Sequence, residues 1–267
     1  MSLPSGSVDA HVHVGGSYAS VDAWHQHATA FGISGAVLVQ EVALVDNREL
    51  IATTEAAGPG HWAIVRVDEN DPEVTEQLHR LASHPVVRGV RLYGATRSPG
   101  ADPYAIWRVI AELGLVASVR GPLADLVDEG FAELLAEVPD LTLRLEHLGF
   151  HRFTEETPAD FSRLCELSDN PLVHLMWSGQ YANAGSPWPY DNTWPALRES
   201  LHAFGAERIM WSGDWNAATL LPDRPSDAVA HDTELLLDPR LRDTVGLTDT
   251  DLELIMCRTV RHFLQEN

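Results

Sequence analysis

Val8-Asp9-Ala10-His11-Val12-His13-Val14 decides the reading of this chain, together with Ile209-Met210-Trp211-Ser212-Gly213-Asp214-Trp215 near its other end. The first stretch is short, apolar at alternate positions and bounded by glycines, which predicts a strand over Val8–Val14. Successive side chains of a strand point to opposite faces, so His11 and His13 project the same way, one pleat apart. Neighbouring imidazoles can share a metal ion or polarise one substrate oxygen. The carboxylate that would complete the set, Asp214, is far away in sequence. Only a closed fold whose first and last strands are neighbours brings the three together.

Outward from these two stretches, short apolar runs alternate with helical patterns. Strands are expected near Val8–Val14, Gly35–Gln40, Ala63–Asp68, Val86–Tyr93, Leu115–Arg120, Leu141–His147, Leu172–Trp177 and Arg208–Gly213. Helices are expected near Val21–Phe31, Arg48–Ala57, Pro72–Ala82, Pro103–Leu113, Leu123–Glu137, Pro158–Leu167, Pro195–Phe204 and Ser226–Leu237, with a last one over Asp249–Gln265. Strand followed by helix throughout predicts an α/β fold, a single and somewhat distorted TIM (β/α)8 barrel over residues 1–267. A doubly wound open sheet would separate His11 from Asp214, and no glycine-rich phosphate loop supports it. The one long irregular stretch, Ser178–Thr193, follows the seventh strand and would lie on the face where barrels build their sites.

Composition narrows the function. With 267 residues and 45% hydrophobic content, the chain can bury one large core. A formal net charge of −21 repels phosphate backbones and anionic lipid, so neither nucleic acid nor a membrane is expected as a partner. A small-molecule substrate, even an anionic one, is compatible with a local cleft of opposite sign. All 18 basic side chains are arginine. That excludes lysine Schiff-base chemistry and a lysine carbamate bridging two metals. Cys165 and Cys257 show no metal or disulfide spacing, and the first residues lack a secretory pattern, so a cytoplasmic location is expected. Barrels of this size often pair, and a homodimer is an expectation on that ground alone.

His147 ends the sixth expected strand, and a histidine at the C-terminal end of a barrel strand reads as catalytic; the plain alternative is a strand-end histidine bonded to a carbonyl. Asp214, after the eighth strand, could be a helix N-cap, yet barrel closure would place it against His11 and His13. Arg66, Arg91 and Arg120 fall late in the third, fourth and fifth strands. A lone charge inside a barrel is costly, so they need anions: ordinary ion-pair partners, or a substrate carboxylate. Glu41 is a weaker site candidate. Trp188 and Tyr190 in the long loop could cover a ligand or simply pack. His25 and His27 lie two apart on a helix and share no face; whether the face of His174 points inward is open.

The set Asp9-Ala10-His11-Val12-His13, Arg88-Gly89-Val90-Arg91-Leu92, Glu146-His147-Leu148-Gly149, Ser178-Gly179 and Met210-Trp211-Ser212-Gly213-Asp214-Trp215 resembles the amidohydrolase superfamily. It is most similar to the branch of barrel hydrolases that contains sugar lactonases and pyrone-dicarboxylate lactonase. The resemblance implies that His11, His13, His147 and Asp214 occupy the site positions. It also implies departures: Met176 stands where members often carry lysine, and the fourth and fifth strands end in Arg91-Leu92-Tyr93 and Ser118-Val119-Arg120 instead of the ligands of a two-metal centre. One divalent ion, zinc first, on His11, His13 and Asp214 with His147 as a further ligand, or no metal at all, stays open.

Three functions are carried forward. The leading one is hydrolysis of a lactone bearing carboxylate or sugar hydroxyl groups, with Asp214 as general base, His147 beside it, and Arg66, Arg91, Arg120 and Tyr190 on the substrate. The second is non-oxidative decarboxylation of an aromatic or unsaturated acid; related members add a strand-five histidine, which Arg120 replaces here. The third is a degenerate member that binds a small acid without turnover.

Overall fold

A computed structural model describes residues 2–215 and 233–264. Its eight parallel strands follow chain order: β1 (Val8–Val12), β2 (Gly35–Val39), β3 (His61–Val65), β4 (Val87–Tyr93), β5 (Val116–Arg120), β6 (Leu143–Leu145), β7 (Val173–Trp177) and β8 (Ile209–Trp211). Every sequential pair is hydrogen-bonded in parallel. The ring closes just past β8: Val12 bridges Trp215, and the His13 amide donates to the Trp215 carbonyl at 2.7 Å. This is the TIM (β/α)8 barrel that the alternation predicts.

The sequence places the strands against two apolar layers. Leu38, Val65, Leu92, Val119, Leu145 and Leu175 face outward and pack under the helices with Trp24, Trp107, Phe131 and Phe161. Each such fully buried side chain stabilises the fold by about 1.5–3 kcal/mol. Ala10, Val37, Val39, Ile64, Met176 and Met210 form a second cluster, in the barrel interior, with Val260 and Phe263 of the last helix at its N-terminal mouth. Above that cluster the interior turns polar, with Asp9, Ser118, Arg144, Glu146 and Ser212 all buried.

Several helices start where side-chain caps dictate. Val21–Phe31 begins at Ser20 and Pro158–Glu166 at a Thr157/Asp160 capping box. Three expectations need correction. The helix over Leu123–Glu137 is two, Leu123–Leu126 and Glu129–Glu137, because Asp128 turns extended and its carboxylate caps Phe131 N at 2.7 Å. The last helix is interrupted by a π turn at Leu254–Arg258 between Asp249–Glu253 and Thr259–Phe263; Gln265 lies outside the described residues. Of the helix expected over Ser226–Leu237, residues 226–232 lie outside the described residues, and its end is a short 3-10 turn, Leu235–Leu237. A helix not anticipated, Pro239–Val245, is capped by Asp238 and stopped by Gly246. Among the described residues no helix is long and apolar enough to cross a membrane. Cys165 and Cys257 are free and buried.

Candidate active site

At the C-terminal end of the barrel, β1, β6 and β8 bring His11, His13, His147 and Asp214 together. A register shift in the β1–β2 pairing falls between Asp9 and Val12, across His11. His11 Nε2 and His13 Nε2 lie 3.2 Å apart. His147 Nε2 is 3.8 Å from Asp214 Oδ2, and His13 Nε2 is 4.0 Å from Asp214 Oδ1. The two residues that β6 and β8 deliver are both in left-handed backbone, His147 at φ 51° and Asp214 at φ 52°. That conformation is uncommon for residues with a Cβ, and such strain collects at functional sites. It also means that strand parity does not aim His147. β6 stops at Leu145, and the chain turns sharply through residues 147–150.

Each side chain is fixed from behind. His13 Nδ1 bonds the Val39 carbonyl at 2.8 Å, which leaves Nε2 facing the site. His147 Nδ1 bonds Ser178 Oγ at 2.7 Å. Ser212 Oγ reaches Asp9 at 2.7 Å and receives the Asp214 amide at 2.8 Å, tying β8 to β1 below the carboxylate. Tyr181 OH donates to Asp214 Oδ2. Asp214 Oδ1, by contrast, is buried and has no hydrogen-bond partner among the described residues.

Beneath the imidazoles lies an ionic layer. Glu146 is fully buried and takes the Arg91 guanidinium through Nη2 at 2.8 Å and Nε at 3.0 Å, and Ser118 Oγ at 2.7 Å. Arg144, also fully buried, bonds Ser118 Oγ at 2.9 Å and the Ala10 carbonyl at 2.5 Å. Burial alone would raise the Glu146 carboxyl, but Arg91, His147 and Arg144 outweigh it and hold the group well below the usual carboxylate range. Burial, then the Arg91 charge, pushes His11 well below the usual imidazole value and His13 down to about 4; burial also lowers His147. All three imidazoles are therefore neutral at neutral pH and carry lone pairs.

The donor set suits a divalent ion. Ligand atoms of His11, His147 and Asp214 lie within 4.8 Å of one another, all buried. Two imidazoles and a carboxylate are a ligand set zinc accepts. The 3.2 Å approach of two ring nitrogens is what a cation between them would organise. Behind the ring, His11 Nδ1 lies 3.5 Å from Arg144 Nη2, with Glu146 Oε1 3.9 Å away.

A cavity of about 190 Å³ opens onto this set, lined among others by Tyr18, Arg91, Arg120, Phe150, Tyr181 and Asn183. Of the expected substrate residues, Arg120 and Arg91 line it, although the Arg91 guanidinium is engaged by Glu146 and by the Gln40 carbonyl at 3.1 Å. Arg66 is outside the lining and pairs with Glu69 at 2.9 Å and the Val42 carbonyl at 2.6 Å. Tyr190 is buried and packs on Trp188, 5.6 Å between centroids, away from the cavity. The long loop was expected to contribute its middle; it contributes its beginning instead, through Tyr181 and Asn183. Glu41 receives Ser17 at the rim. His174 shares an inward face with Met176, but at the opposite mouth, against Phe263. Tyr18, stacked on His13 at 4.6 Å, and Tyr181 were missed. Their signal was position alone, in the loops just after β1 and after Ser178-Gly179.

The family model described as Amidohydrolase matches residues 8–264. Among solved structures, a candidate 2-pyrone-4,6-dicarboxylic acid hydrolase of Pseudomonas putida aligns with TM-score 0.76 at 23% identity, covering 98% of both chains. An amidohydrolase of Burkholderia multivorans with bound zinc aligns with TM-score 0.75 at 20% identity, over 97% of this chain and 99% of that one. A 2,6-dihydroxybenzoate decarboxylase from Rhizobium aligns with TM-score 0.61 at 18% identity, over 98% and 99%. No curated protein sequence matches.

Proposed function

The chain belongs to the amidohydrolase family, and on that premise we propose that it opens a small lactone by attack of water, with Asp214 as general base. The observation that carries this reading is Asp214 Oδ1: buried, without a partner among the described residues, and beside the neutral imidazoles of His13 and His147 on the cavity wall. Tyr181 engages Oδ2 and so leaves Oδ1 for the proton of the incoming water. The water oxygen bonds the lactone carbonyl carbon, and its proton passes to Asp214. The ring C–O bond then breaks, and Asp214 returns the proton to the departing alkoxide. The product is a hydroxy acid, whose ionisation releases one proton.

His11, His147 and Asp214 would hold a divalent ion, with His13 alongside. When bound, such an ion polarises the carbonyl and lowers the pKa of water towards about 7. The chain's own work is orientation. Val39 and Ser178 fix the rings of His13 and His147, and the Glu146–Arg91 pair supports them from below. The Pseudomonas and Burkholderia proteins, a candidate pyrone-dicarboxylate hydrolase and a zinc-bound amidohydrolase, share this fold and support both parts of the reading.

The test is proton release from a panel of small lactones, run beside carbon dioxide release from aryl carboxylates. Lactone-dependent proton release is expected. Carbon dioxide without lactone opening would instead install the decarboxylase reading, which the fold shared with the Rhizobium enzyme keeps as the alternative.

A further inference from the structure

Three arginines were expected to meet an anion at the site, and the structure separates them. Arg91 is neutralised by Glu146, and Arg66 by Glu69. Arg120, the last residue of β5, has neither: among the described residues it makes no ion pair, and its Nε is buried without a partner. Its guanidinium lies between two rings instead, 5.1 Å from the Tyr93 centroid and 5.2 Å from that of Phe150. Aromatic faces hold a cation in place and fix its plane, but they leave its N–H groups unsatisfied. The half-buried group lines the same cavity as His13, His147 and Asp214. Burial and the nearby Arg91 charge both push its pKa below the usual arginine value, so an anion in the cavity would relieve an existing strain.

We propose that Arg120 is the receptor for a single substrate carboxylate, so that the substrate is a small monocarboxylated ring compound and not a neutral sugar lactone or a dicarboxylate. This rests on the lactonase reading for the identity of the ring, but not for the binding of the carboxylate. A planar guanidinium with free N–H groups takes a carboxylate through two parallel bonds, which sets the ring's orientation as well as its charge. The Tyr93 and Phe150 faces pre-organise that geometry before the ligand arrives. The cavity, at about 190 Å³, is smaller than the ~300–1,000 Å³ usual for drug-sized ligands. A second carboxylate would find Arg91 already committed to Glu146.

Calorimetry on the whole protein tests this with benzoate, benzamide, phthalate and 5-oxotetrahydrofuran-3-carboxylate. At least one of the two monocarboxylates should bind, with benzamide and phthalate each weaker than benzoate by about tenfold or more, a difference of about 1.4 kcal/mol. Arg120→Gln should weaken monocarboxylate binding by a similar factor, and Arg120→Lys should recover part of it, with thermal unfolding confirming that both variants fold. Should Arg120→Gln fail to fold, the wild-type ligand series decides alone. Binding of neither monocarboxylate, tighter binding of phthalate or benzamide, or unchanged binding in a folded Arg120→Gln each overturns the proposal. Arg120-dependent binding without turnover of any lactone would leave this inference standing and remove the lactonase reading.

Discussion

Gly179 stands directly against His147: a Cβ built at position 179 would lie 2.7 Å from the His147 Cβ. Gly179 is also left-handed, at φ 75°, where a side chain is strained. The glycine after Ser178 therefore makes room for the histidine that Ser178 orients. Gly179→Ala should displace the His147 ring and lower turnover by about 10²-fold, the scale of a misplacement near 1 Å. Its effect on folding should be about 1–3 kcal/mol of local strain. Steady-state kinetics beside denaturant unfolding reads both. Full activity in the variant would mean that the ring position is not set from this side.

Glu146 is the anion on which the buried arginines depend. Glu146→Gln should destabilise the protein by about 3–5 kcal/mol, because Arg91 is left charged and unpaired in the interior. Glu155→Gln, which breaks the exposed pair with Arg152, should change stability by no more than about 1 kcal/mol. Urea unfolding of the two variants tests the contrast, and equal effects would contradict it.

His174 sits at the far mouth of the barrel, buried against Phe263 with Arg208 and His262 near it, and burial depresses its pKa from 6.5 to about 4. Above pH 6.5 it is neutral in both folded and unfolded chains, and its contribution is fully present. As pH falls from 6.5 to 4 the unfolded chain takes up a proton that the folded chain refuses, so stability is lost across that window. The loss approaches about 3 kcal/mol, at about 1.4 kcal/mol per pH unit. His174→Gln should remove that part of the acid sensitivity. Stability measured at pH 7 and pH 4.5 should fall less in the variant than in the wild type, and parallel falls would contradict the assignment.

The donor set of His11, His147 and Asp214 predicts that protein purified without chelator carries about one divalent ion per chain. Chelation should then lower thermal stability as well as turnover, since an ion at 100 times its Kd stabilises the folded state by about 2.7 kcal/mol. Elemental analysis and unfolding before and after dialysis check this. A metal-free protein that is active and no less stable than its zinc-loaded form would reassign the imidazoles to hydrogen-bonding roles.

Much of this architecture is legible in residue order. Val21–Phe31 and Arg48–Ala57 fall where their periodicity and turn residues put them. His11, His13 and Asp214 meet because β8 adjoins β1, a consequence of counting strands. What escaped has physical causes. Arg91 and Arg144 look alike in sequence as strand arginines, but only three-dimensional pairing shows that Glu146 and Ser118 occupy them. His147 was read as the last residue of the sixth strand, yet β6 stops at Leu145 and a left-handed turn places it. Tyr18 and Tyr181 lie in loops, where no periodicity marks the direction of a side chain. The break at Asp128 hid inside one apolar pattern, because a cap is a local competition that hydrophobic spacing does not register.

The central claim is that the closed ring delivers Asp214 Oδ1 as the proton acceptor among imidazoles from the first and sixth strands. Asp214→Asn keeps the shape, and its amide can still receive Tyr181 OH, but it cannot take a proton. Proton release on the best lactone, measured with that variant at matched protein concentration, should fall by about 10³-fold or more, beyond the ~10²–10⁴ range of general-base catalysis only if the metal site is lost as well. Monocarboxylate binding should stay near wild type, and stability should fall by no more than chelation removes from the wild type. Turnover retained within about tenfold of wild type would contradict the account.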